Sequence, residues 1–84
     1  MSVEITKALE AIYNTGDAGM QDLANRALAL KQALEQGQIS KSEYTEMIND
    51  LYHEKNINEA VQDLQLKQHI NTTMNALINL ASLY

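Results

Sequence analysis

Between Gly37 and Tyr44 the chain reads Gly-Gln-Ile-Ser-Lys-Ser-Glu-Tyr, the end of one helix followed at once by the start of another, and this punctuation constrains the fold most. Glycine reaches the left-handed conformation that closes a helix C-terminus without steric cost. Three residues later Ser40 can accept the Glu43 N–H while the Glu43 carboxylate accepts the Ser40 N–H, which is a capping box. Ile39 and Tyr44 occupy the two positions of a hydrophobic staple. The expectation is an antiparallel αα-hairpin: a helix over about residues 18–36, then a second beginning near Lys41.

Apolar spacing of three and four covers nearly all of the remaining sequence, and no stretch alternates with period two long enough to form a strand. A first helix over Ser2 to Tyr13 carries Val3, Ile5, Ala8, Leu9 and Ile12 on one side. Asn14, Gly16 and Gly19 stop it, and Thr15 or Asp17 can cap the second helix. In that second helix Met20, Leu23, Ala27, Leu30 and Leu34 form a heptad-like seam, flanked by Ala24, Leu28 and Ala33. The third is expected to bury Tyr44, Met47, Ile48, Leu51 and Tyr52. Past it the apolar side rotates to Ile57, Ala60, Val61 and Leu64. Either the helix breaks near residues 55–58, with Asn56 and Glu59 as a weaker capping pair, or one long helix passes from one neighbour to another. A second shift at Leu66 starts a seam through Ile70, Thr73, Leu77, Leu80 and Tyr84, and the two shifts together imply that this last segment faces a different neighbour from the Gly37 hairpin. The expected fold is all-α: a single domain over residues 1–84 with three to four helices, the hairpin and a long C-terminal helical segment, assembled as an oligomeric bundle.

A chain of 84 residues buries only roughly 60 to 65% of its unfolded surface. With no cysteine for a disulfide and no Cys/His set for a structural metal, self-association is the remaining common remedy, and a homo-oligomer is expected. Tyrosine is the only aromatic residue, so the core is aliphatic. A net charge of −5 argues against nucleic-acid binding, which needs Lys and Arg to replace phosphate counterions; Lys7, Arg26, Lys31, Lys41, Lys55 and Lys67 are too scattered for a patch. The first residues lack a basic stretch followed by an apolar run, so a cytoplasmic location is expected. Asn71-Thr72-Thr73 matches a glycosylation acceptor that this location makes irrelevant.

Candidate chemistry is sparse. Glu43, Glu46, Asp50 and Glu54 climb one helix side but lack the glycine-turned loop of a calcium site, and read as a solvated face. His53 and His69 are too far apart in sequence for a ligand pair and have no Cys beside them; an ordinary surface or interface role is expected, with His69 able to lend pH sensitivity to a contact. Gly16 and Gly19 form a helix-helix turn, since no strand precedes them and no Gly-Lys-Ser/Thr comes after. No metal, cofactor or enzymatic activity is expected.

After Lys67 no Asp, Glu, Lys or Arg occurs in the 17 residues 68–84. Depletion of charge marks packed surfaces, because charges keep a solvated face soluble and are costly to bury. A core helix, a protein interface and a membrane contact are the three readings. The segment is too short and too polar to span a bilayer, and it lacks the Lys and Arg of an interfacial membrane helix. The interface reading is preferred: Ile70, Met74, Leu77, Ile78, Ala81 and Tyr84 would make the contact, and Asn71, Asn75 and Asn79 would hydrogen-bond across it. Leu77→Asp should then reduce the particle mass while helicity survives.

Residues 30–44, from Leu30-Lys31-Gln32-Ala33-Leu34 through Gly37-Gln38-Ile39-Ser40 to Glu43-Tyr44, resemble the SHOCT-type short helical hairpin. That resemblance implies an oligomerisation or docking module without catalysis. As a whole, small, acidic and free of Cys and Pro, the chain also resembles accessory proteins of T-even-like tailed phages. These include lysis-inhibition accessory proteins acting with holin and antiholin, which implies a role in lysis regulation or assembly. The expected function is a non-catalytic accessory protein that self-associates and binds a protein partner. The alternative is an acidic inhibitor or regulator of a nucleic-acid-processing enzyme, with Glu43, Glu46, Asp50 and Glu54 in the contact.

Overall fold

Among the described residues, the helix ends around Asp17 and Gly37 that the sequence punctuates are closed by the groups it supplies. The computed structural model describes residues 2–54 and 62–83, and side chains from Glu4 onward. Among them are four helices, α1 (Ser2–Tyr13), α2 (Ala18–Glu35), α3 (Lys41–Glu54) and α4 (Leu64–Leu80), a 3₁₀ turn over Ala81–Leu83, and no strand. Thr15 Oγ1 donates to the Ile12 carbonyl at 2.9 Å as α1 ends, and Gly16 comes next at φ 83°. Of the two candidate caps for α2 it is Asp17 that serves, accepting the Met20 N–H at 3.1 Å from an extended backbone.

The hairpin turn has the expected chemistry. Gly37 sits at φ 73°; its N–H reaches the Leu34 carbonyl at 3.1 Å, and the Gln38 N–H reaches the Ala33 carbonyl at 2.9 Å. Those two bonds make a Schellman motif, which satisfies carbonyls that α2 leaves unpaired. Across the turn the Ser40 N–H donates to Glu43 Oε1 at 3.2 Å and the Glu43 N–H to Ser40 Oγ at 3.1 Å, completing the capping box. Asp63 caps α4 by accepting the Leu66 N–H at 3.1 Å, and its ψ of 116° interrupts any continuous helix from α3 into α4. The break expected near residues 55–58, and the contacts expected of Ile57, Ala60 and Val61, lie outside the described residues.

The helices close a ring of neighbours: α1 against α2, α2 against α3, and α4 against both α3 and α1. Each contributes an apolar stripe to one core. Ile12, Leu23, Ile48, Ile70 and Leu77 lie at its centre with Tyr44, Leu51 and Met74. The radius of gyration of 12.0 Å equals the roughly 12 Å expected of a compact chain this long, so a single copy encloses its core.

The structure corrects three sequence expectations. The α2 seam runs through Lys31, which is only 3% exposed, and Leu30 is left half-buried. Because α2 faces both α1 and α3, its buried arc centres on Ala27 and Lys31, about 80° around the helix from Leu30. The Lys31 stem covers apolar surface while its ammonium reaches Glu35 Oε1 at 2.9 Å. Met47, whose spacing predicts a core position, is 43% exposed, and Tyr52 is half-buried. Finally, the phase shifts suggest a last helix that faces a different neighbour from the hairpin. Instead the buried Tyr44 hydroxyl, in the hairpin itself, donates to the Leu77 carbonyl of α4 at 2.6 Å. That carbonyl is open because the Ala81 N–H turns to the Ile78 and Asn79 carbonyls as the helix tightens into its 3₁₀ end.

Candidate interaction surfaces

The C-terminal helix, which carries no charged side chain after Lys67, divides its two faces between the inside and the outside of one chain. Ile70, Met74, Leu77 and Ala81, which the sequence placed at a partner interface, are buried in the chain's own core together with Thr73 and Leu80. In this fold they are not available to a partner. The reason is geometric: α1 and α3 both pack on α4, so its apolar stripe is already covered. Ile78 and Asn71 are half-buried on the flank, Asn75 and Asn79 are exposed, and Tyr84 lies outside the described residues.

The solvent side of α4 is a row of neutral polar side chains. Gln65, Gln68, Thr72, Asn75, Asn79 and Ser82 are all exposed and succeed one another at alternating spacings of three and four. Leu64, 65% exposed, stands at one end of this row and Leu83, 58% exposed, at the other. The outward faces of α1, α2 and α3 all carry acidic residues, among them Glu4 and Glu10, Asp22 and Glu35, and Glu43, Glu46 and Asp50. The row on α4 itself has none, and Glu4 of α1 borders its Asn79, Ser82 and Leu83 end.

A groove of about 570 Å³ opens between α2 and α3, lined by Arg26, Ala29, Leu30, Met47, Asp50, Leu51 and Glu54. Its floor is aliphatic, and its volume falls within the range of ordinary ligand clefts. At its rim Arg26 makes a two-pronged contact with Glu54, Nη1 to Oε1 at 3.0 Å and Nη2 to Oε2 at 3.2 Å, with Asp22 3.7 Å away. The hydrogen bond and the charge of Glu54 raise the guanidinium pKa above its ordinary value, so the arginine stays cationic and tied across the groove. Asp50, which lines the groove, is exposed. The groove therefore joins an oily floor to a predominantly acidic rim.

Sequence reasoning missed this groove. It placed Leu30 and Met47 inside and treated the acidic residues as a separate solvated face. The usable signal was the spacing of Glu43, Met47, Asp50 and Glu54, four, three and four residues apart, which puts the methionine on the carboxylate side of α3.

Neither histidine builds a reactive centre. His53 Nδ1 lies 2.7 Å from the Asn49 carbonyl one turn back, and His69 Nε2 lies 3.2 Å from the Ala8 carbonyl of α1. A carbonyl only accepts, so in these geometries the facing ring nitrogen carries a proton. His69 thus ties α4 to α1 within the chain. Among the described residues no three His, Cys, Asp or Glu side chains converge as a metal site, and no helix is long and apolar enough to cross a membrane. No family model, curated protein or solved structure matches the chain.

Proposed function

We propose that this is a non-catalytic protein-interaction module whose α2–α3 groove receives a basic amphipathic segment of a partner protein. The observation that carries the reading is the exposed Met47 over an aliphatic floor, bordered by carboxylates. Methionine is unbranched and polarizable, and suits adaptable hydrophobic recognition. An amphipathic helix lays its apolar face into such a groove, and Lys or Arg at its edge would meet Asp50. The resemblance of residues 30–44 to a docking hairpin is compatible with this reading, since the groove lies between the two helices that this hairpin joins and takes Leu30 from it. A role beside a phage lysis or assembly factor would fit within it.

A fluorescent, lysine- and leucine-rich helical peptide tests the groove by anisotropy titration. Met47→Asp and Asp50→Lys should each weaken binding about tenfold, as loss of a central contact does. Glu10→Lys, on exposed α1, makes the same charge change as Asp50→Lys and should have little effect. Equal losses at Glu10 and Asp50, or indifference to Met47, would refute the groove.

A second reading has its own observation: Glu43, Glu46, Asp50 and Glu54 are all exposed along α3, as an acidic inhibitor of a nucleic-acid-processing enzyme would need. Two of the four are already engaged, Glu43 in the capping box and Glu54 with Arg26. That reading makes Glu46→Lys and Asp50→Lys damaging and Met47 substitutions neutral toward such an enzyme.

A further inference from the structure

We infer that the outward face of α4 is a self-association surface, and that a second copy of this chain pairs with it antiparallel. Charge selects the face. Two copies, each at −5, repel wherever their acidic helices meet, and screening in physiological salt extends over about 8 Å rather than eliminating close-range repulsion. Among the described helices only α4 carries no acidic residue of its own on its outward face, and Glu4 of α1 borders just the Asn79–Leu83 end of it. This also gives the missing charges a role that burial does not: core packing accounts for Ile70, Met74 and Leu77, but not for neutral residues at the solvated positions.

The order of residues selects the orientation. Symmetric dimers put the same patch on both copies, so residue i of one meets residue j of the other and the reverse. With the two-fold axis between Thr72 and Asn75, antiparallel helices bring Gln68 of one copy to Asn79 of the other, Thr72 to Asn75, and Gln65 to Ser82. Each pairing joins groups that can both donate and accept hydrogen bonds. The same register brings Leu64 of one copy level with Leu83 of the other, adding the two most exposed leucines at both ends of the seam. A parallel arrangement would separate them by the full helix.

The contact area sets the strength. A face of 17 residues is about 25 Å long and roughly one helix wide, which buries a few hundred Å² per copy. A standard interface buries about 800 Å² per partner. The dimer is accordingly weak, populated at high protein concentration and dissociated on dilution.

Sedimentation equilibrium over a concentration series reads the association, and single-cysteine variants read the register, since the native chain has no cysteine to interfere. The weight-average mass should rise toward that of two chains with concentration, and the double variant Asn75→Glu/Asn79→Glu should shift the midpoint at least tenfold higher. Circular dichroism of the double variant should match the parent, because both positions are exposed. Under mild oxidation a mixture of Gln68→Cys and Asn79→Cys should cross-link well above either variant alone. A chain that stays monomeric at millimolar concentration overturns the proposal. So does cross-linking that favours Gln68→Cys with itself, or association unaffected by the two glutamates. The groove titration uses other residues and stands or falls separately.

Discussion

Removing the Tyr44 hydroxyl should cost far more than its single oxygen atom suggests. In Tyr44→Phe the ring remains to fill its site, while the bond to the Leu77 carbonyl, 2.6 Å long and buried, is lost. A typical intramolecular hydrogen bond contributes about 1 kcal/mol net, whereas a buried acceptor left unpaired costs about 1–3 kcal/mol. The upper half of that range applies if the Leu77 carbonyl has no alternative donor, and the Ala81 N–H that would ordinarily serve it is turned to Ile78 and Asn79. The expected loss is about 2 kcal/mol. For a domain of this size each kcal/mol corresponds to roughly 4–8 °C in Tm, so Tm should fall by about 8–16 °C.

Urea unfolding monitored by far-UV circular dichroism measures the change, with Tyr52→Phe as a half-buried control expected to remain within about 0.5 kcal/mol. The midpoint should move with the slope unchanged, since no surface is newly exposed. A loss below about 0.5 kcal/mol would refute the reasoning. It would mean that the C-terminus of α4 rewinds and the Ala81 N–H returns to Leu77, which makes the 3₁₀ end a readily reversible choice.

Asn71 is half-buried, and its Oδ1 is buried without a hydrogen-bond partner. Asn71→Leu keeps the branched shape with four heavy atoms, removes the unsatisfied acceptor and improves helix propensity, so stability should rise by about 1 kcal/mol in the same urea assay; a loss would show that the amide has a donor or that the methyls do not fit. Leu77→Asp separates the two readings of the tail. With Leu77 fully buried, an unpaired carboxylate there should cost several kcal/mol, comparable with the whole stability of about 4–13 kcal/mol expected for this length. Helicity should collapse in circular dichroism, whereas retained helicity with a reduced mass would restore the apolar stripe to an intermolecular contact.

Local punctuation was legible in the sequence because its partners are three to five residues apart. Gly37, Ser40, Glu43 and Asp17 act within one turn of helix, so residue type and spacing are sufficient to read them. The facing of each helix was less legible because it depends on how many neighbours the helix has. α2 meets two, and the compromise buries Lys31 at the expense of Leu30; α3 turns Met47 outward toward its own carboxylates for the same reason. The uncharged tail was ambiguous in a further way. Missing charge is compatible with an interior and with a neutral exterior, and α4 has both: Ile70, Met74 and Leu77 inside, and Gln68, Asn75 and Asn79 outside. Side-chain chemistry separates the two once the helical angle is fixed, since the apolar residues fall on one arc and the amides on the opposite one. The charge depletion therefore spans two arcs, one buried in the core and one solvated, and the proposed self-association draws only on the solvated one.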